Sequence, residues 1–339
     1  MRVFIHYHPK HYRDTFEGTR LRKTIKGACE LVGIEWLDFP SLPADVAHFI
    51  SPSDLPLLRA KKESGVPCLV SAGYAENDPK ATFMEEDLTG HLFLTRSGKK
   101  ILQEADMVSV PSEPIRQVLL RSGITAPIEI LEPAVNMARF EGNTAEREIF
   151  LRYFRIHTGT KTVVSTGSYN DRTTVELIKK AAIMCPNLEF YFFGSTSLLD
   201  PFSLMKAAHS ARKTSNLHFC SLVQDDIYRS ALMSSIAYIS NGSGKPDTIA
   251  LLEAFASKCQ VVALRGKRNN PLIIDKETCF LFEDADGLAS YLNSLYKGKA
   301  KETIMAAYAS AKSHSLLNLG RQLESLYSQL IAKKQGGSL

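Results

Sequence analysis

Residues 245–264, KPDTIALLEAFASKCQVVAL, set two side chains able to do ligand chemistry close together. Lys245 opens a loop, and Glu253 follows inside an otherwise apolar helix. The preceding IAYISN has the composition of a buried strand, and the Gly/Ser stretch after it reads as a turn. A strand, such a loop and a helix opening at Pro246 and Asp247 present free backbone N–H groups and the positive end of the helix dipole. That arrangement suits a phosphate. The carboxylate of Glu253, about two turns into the helix, is either a paired helix-face charge or part of a binding site.

The elements around this stretch repeat one pattern. RVFIHY, IEWLDF, VAHFIS, PCLVSA, MVSVPS and IEILEPAV read as strands in the first half, and TVVSTG, LEFYFFGS, LHFCSLV, IAYISN, CQVVAL and CFLFED in the second. Near-continuous apolar strands alternating with helical segments mark parallel sheets covered on both faces. Two such sets predict an α/β protein of two doubly wound, Rossmann-like domains, over residues 1–137 and 138–312, with 313–339 a C-terminal helix and tail. The last long helix is expected over about 301–332.

Composition narrows the class. At 44% hydrophobic and 23% charged, the 339 residues match an ordinary globular protein, with disorder expected only at the tail KKQGGSL. No apolar run reaches the roughly 18 residues of a membrane span, and MRVFIHYHPK lacks the features of a signal peptide. The six cysteines form no CxxC pair and mostly sit in apolar runs, as reduced thiols of a cytoplasmic protein do. A net charge of +5 permits anionic partners but does not indicate nucleic acid.

Two further clusters carry weaker signals. In the helix near 16–32, Leu21, Ile25, Ala28, Cys29 and Val32 form an apolar face, and Arg20, Arg22, Lys23 and Lys26 crowd the remainder. That basic side is either a solvated face or one held against anionic lipid or phosphate. His6, His8 and His11 lack an acidic or cysteine partner at ligand spacing, so no metal is expected. Neither GxSxG nor a P-loop is present.

The segment LLEAFASKCQVVA resembles the signature helix of family 4 glycosyltransferases, two-domain GT-B enzymes that bind nucleotide sugars. TIKGACELVGIEW, LPLLRAKKESGVPCLV, ILEPAVNMARF, LEFYFFGSTS, ALMSSIAYISN and HSLLNLGRQLESLYSQLI follow in the same order. Together they are similar to bacterial glycolipid glycosyltransferases that add hexose to glucosyl-diacylglycerol. The resemblance implies two domains facing a cleft and a C-terminal helix crossing back.

It also implies roles. Glu253 matches the acid that holds the ribose, and Lys245 stands where the acid that holds the donor sugar would be. Thr248 replaces a glycine between them. Gly167 and Ser168 match the donor-side turn, where Thr173 takes the place of a lysine and Arg172 stands one residue earlier, either reaching the same spot or not. On the acceptor side, Gly18 and Arg20 remain of a glycine-rich loop, and Ser71 and Gly73 replace two histidines. Lysine cannot accept a hydrogen bond, so these departures alter the site.

The resulting expectation is a retaining hexosyltransferase with a UDP-linked donor and a glycolipid acceptor. It would need no cofactor or metal, and would work in the cytoplasm or at the inner face of the membrane, with Arg20, Arg22, Lys23 and Lys26 at the lipid. The alternative is an inactive relative that binds or regulates an active one.

Overall fold

A computed structural model describes residues 1–6, 16–73, 81–83, 92–94, 96–169, 171–195, 202–212, 214–221, 223–240, 248–266, 270–299 and 302–336. The chain divides into two compact units. The first comprises Met1–Val135, Lys245–Ile249 and His314–Leu339, the second Asn136–Gly244 and Ala250–Ser313.

In chain order the first part runs β1 (Arg2–His6), α1 (Phe16–Leu31), β2 (Glu35–Leu37), β3 (Val46–Phe49), α2 (Leu55–Glu63), β4 (Cys68–Ser71), β5 (Ala81–Phe83), β6 (Leu92–Leu94), α3 (Arg96–Glu104), β7 (Met107–Val110), α4 (Glu113–Arg121) and β8 (Ile128–Ile130). There follow α5 (Thr144–Arg147), α6 (Ile149–Tyr153), β9 (Lys161–Ser168), α7 (Arg172–Met184), β10 (Leu188–Ser195), α8 (Ser203–Ser210), β11 (Leu217–Cys220), α9 (Asp225–Ser234), β12 (Ala237–Ser240) and α10 (Thr248–Ala256). The chain ends with β13 (Gln260–Leu264), β14 (Phe280–Phe282), α11 (Ala285–Tyr296), α12 (Ile304–Ser313) and α13 (Leu316–Gly336).

The expected strands assemble into two parallel six-stranded sheets, ordered β2-β1-β3-β4-β7-β8 and β11-β10-β9-β12-β13-β14. Strands β3, β4, β7 and β12 are buried at every residue, as their unbroken apolar runs require. In each sheet the order reverses once, between β1 and β3 and between β9 and β12. In doubly wound sheets such a reversal is where ligands bind, outside the carboxyl ends of the strands.

Asp54, Asp171 and Asp284 cap α2, α7 and α11 by accepting a backbone N–H three residues on. Each such cap contributes about 1 kcal/mol and fixes the angle at which the helix leaves its strand.

Two features differ from expectation. The short antiparallel pair β5–β6 interrupts the first parallel series. The expected helix over 301–332 is two helices, broken where the Val135 N–H bonds the His314 carbonyl at 2.9 Å and Val135 bridges Ser315. A backbone group that pairs sideways with another segment cannot stay in the i→i−4 ladder, so the helix ends there.

After the break α13 completes the core of the first unit, where Leu316, Leu319, Leu323, Leu326 and Tyr327 pack against Leu21, Ile25, Ala28 and Cys29 of α1. The crossing is close because Gly320 lacks a side chain; a Cβ there would lie 2.5 Å from the Ala28 carbonyl oxygen. Gly320→Ala is therefore expected to cost about 1–3 kcal/mol. Urea unfolding would show a lower midpoint, with Gly336→Ala, which meets open space, as the control.

Candidate functional site

Helix α10 is buried almost all round: Ile249, Ala250, Leu251, Leu252, Ala254, Phe255 and Ala256 lie at 4% exposure or less. Glu253 sits among them with its side chain 4% exposed. A carboxylate so placed needs a cation to offset its lost hydration. Arg139 supplies it, with Nη1 at 3.8 Å from Glu253 Oε1. The other end of the same guanidinium donates from Nη2 to Asp225 Oδ2 at 2.5 Å.

Local structure explains the meeting. Arg139 lies on a single 3-10 turn, Met137–Phe140, anchored by buried Phe140. Asp225 is the first residue of α9, where an acidic side chain complements the helix dipole. One turn later Arg229 donates from Nη1 to the Arg139 carbonyl at 2.8 Å. The group thus joins two carboxylates through one guanidinium. Carboxylate oxygens accept hydrogen bonds, so the group suits a ligand that brings donors such as hydroxyls.

The turn after β9 is built differently. Gly167 and Gly194 face each other in register at the ends of β9 and β10. The Tyr169 ring fills the space, 2.4 Å from where a Gly194 Cβ would lie. Its hydroxyl donates to the Phe192 carbonyl at 3.0 Å and also reaches the Cys220 carbonyl. Burial pushes this phenol well above its ordinary range. With Tyr169 anchored and Asp171 capping α7, Arg172 and Thr173 open that helix exposed to solvent. Ser168 ends β9, and Thr248 opens α10 half-buried. Lys245, His8 and His11 lie outside the described residues.

In the first unit the structure corrects two readings. Ser71 is fully buried at the end of β4, not on an acceptor surface. Its hydroxyl bonds His48 Nε2 at 2.7 Å and Ser109 at 2.8 Å, while His48 Nδ1 bonds the Tyr327 hydroxyl at 2.7 Å. The Ser–His contact has the spacing of a nucleophile and its base. However, no carboxylate stands behind the ring, and burial lowers His48 from 6.5 to about 3, so the chain is a satisfied core network. Arg20, the second correction, is 4% exposed and inside the fold rather than at a lipid surface.

Of the other basic residues on α1, Arg22 and Lys26 both pair with Asp38, and Lys26 Nζ also sits 3.6 Å from the Trp36 ring centroid. Lys23 is exposed. Gly18 lies within α1. Gly73 adopts φ +77°, and a Cβ there would lie 2.9 Å from the Ile115 side chain, so a side chain at that position would be strained. His6, at the end of β1, has Asp54 3.4 Å away, a partner that linear spacing could not show.

No helix of the described residues is long and apolar enough to cross a membrane. Sequence reasoning did not single out Arg139 or Asp225. Arg139 lies within ILEPAVNMARF, but nothing local marks it, because its partners are 86 and 114 residues away (225 − 139 and 253 − 139).

Two six-stranded parallel sheets followed by a C-terminal helix that returns to the first define the GT-B fold, and solved glycosyltransferases share it. The chain matches a glycosyltransferase from Rickettsia africae at a TM-score of 0.69 and 15% identity, covering 97% of this chain and 98% of that one. It matches Anabaena HepE, solved with UDP and glucose, at a TM-score of 0.72 and 13% identity over 96% and 99% of the two chains. In sequence it is similar to the processive diacylglycerol alpha-glucosyltransferase of Acholeplasma laidlawii, 21% identical over 91% of this chain and 92% of that protein. No family model matches the sequence.

The buried histidine gives a pH test. The unfolded chain takes up a proton at His48 below pH 6.5, while the folded chain refuses it until about pH 3. Stability from this group is full above 6.5 and is lost as pH falls through that window, by up to about 1.4 kcal/mol per pH unit. His48→Gln should flatten the pH dependence of urea unfolding between those limits.

Proposed function

We propose that the chain is a retaining glycosyltransferase that moves a hexose from a UDP-linked donor to a membrane glycolipid or a related acceptor. The observation that supports this most directly is Glu253. It is a buried carboxylate on α10 with a cation beside it, at the position the resemblance reserves for ribose recognition. Its chemistry agrees, since a carboxylate accepts hydrogen bonds from the two ribose hydroxyls.

In this reading Arg172, Lys245 and the start of α10 neutralise the diphosphate, with Gly167, Ser168 and Thr248 lining its path. Protein cations on the leaving group stabilise the charge that develops as the sugar departs, so the reading needs no metal. The first unit takes the acceptor. In this reading Lys23, the exposed basic residue of α1, meets anionic lipid. The glycolipid acceptor rests on the similarity to the diacylglycerol glucosyltransferase.

Specific observations favour a second reading, in which the chain binds a nucleotide without transferring a sugar. Ser71 offers no accessible hydroxyl, a histidine at Gly73 would be strained, and Thr173 cannot supply a lysine's charge. Calorimetric titration with UDP and a panel of UDP-hexoses, followed by a transfer assay on vesicles containing glucosyl-diacylglycerol, separates the two. The enzyme reading expects micromolar binding of one UDP-sugar, at least about tenfold weaker in Glu253→Ala, and transfer abolished in that variant. UDP binding without sugar preference or turnover would leave the second reading standing. Absence of any binding would remove the UDP-sugar reading.

A further inference from the structure

We infer that Arg139 is a positioning residue for Glu253, and that Asp225 holds Arg139 in place, so that recognition of the nucleotide's ribose depends on an acid at the start of α9. The inference rests on the reading of Glu253 as the ribose ligand.

The geometry supports it at each link. Arg139 is gripped twice by α9, through Asp225 at its guanidinium and through Arg229 at its carbonyl. Arg229 in turn reaches Glu146 at 3.5 Å, tying α5 into the same framework. The Arg139 side chain is 29% exposed, and that of Glu253 is 4% exposed. At 3.8 Å the Arg139 Nη1 lies within ion-pair range of Oε1 but beyond hydrogen-bond length. Arg139 thus favours and orients the ionised carboxylate without capping that oxygen with a short bond. Its own charge is already shared between two carboxylates, which argues against service as a phosphate ligand. Arginine's planar fork suits this bridging role better than lysine's single ammonium.

The test compares UDP with 2′,3′-dideoxy-UDP, which lacks both ribose hydroxyls, in calorimetric titrations of the full chain. The wild type is expected to prefer UDP by about tenfold or more. In Arg139→Met, UDP should weaken by about tenfold while the dideoxy nucleotide is unchanged, so the preference collapses. Arg139→Lys should restore part of it, and Asp225→Asn should lose part.

Circular dichroism melts confirm that each variant is folded; a general loss of structure would weaken both nucleotides alike. An unchanged preference in Arg139→Met, with the preference lost in Glu253→Ala, would overturn the inference and leave the Glu253 reading intact. Equal weakening of both nucleotides in a folded Arg139→Met would overturn it by placing Arg139 on the phosphates. If wild type shows no preference, or Glu253→Ala keeps it, the Glu253 reading fails and the inference with it.

Discussion

A carboxylate within an apolar helix is the constraint around which the second unit is arranged. Glu253 interrupts the seam of Ile249, Leu252, Phe255 and Ala256, and its burial costs several kcal/mol unless a cation stands close. Arg139 meets that requirement, and meeting it imposes further ones. A guanidinium beside a buried acid must itself be held, which Asp225 does, and the turn that carries it must be fixed, which Arg229 and Phe140 do. A folding demand placed by one acidic residue thus propagates through a 3-10 turn and the first turn of α9.

The first unit handles buried polarity in the opposite way. Its chain of Ser109, Ser71, His48 and Tyr327 satisfies donors and acceptors internally and carries no charge, because burial keeps the imidazole neutral. Tyr327 belongs to α13, so the C-terminal helix adds a hydrogen bond to its apolar contacts with α1. That network makes the helix specific in register as well as hydrophobic, since sliding it would orphan the His48 Nδ1.

The two units also show how spacing can mislead about surfaces. Ser71 and Arg20 occupy positions that motif alignment associates with ligands, yet both side chains are buried. Arg22 and Lys26 look like part of a cationic face until Asp38, from the end of β2, folds back on them. Solvent exposure is a property of the folded chain.

Most of the fold was legible in the sequence. Twelve short apolar runs, each read in order as a strand, became two parallel sheets, because continuous hydrophobicity over a few residues can be satisfied only by burial on both faces. It also marked Glu253, since a charge inside an apolar helical period is conspicuous without any structure. The partners emerged from folding alone: Arg139 and Asp225 for Glu253, Tyr169 over Gly194, His48 for Ser71, and the break at His314. Hydrophobic periodicity is local and survives in one dimension, whereas a hydrogen bond or ion pair joins single atoms from segments that meet only once the sheets have formed.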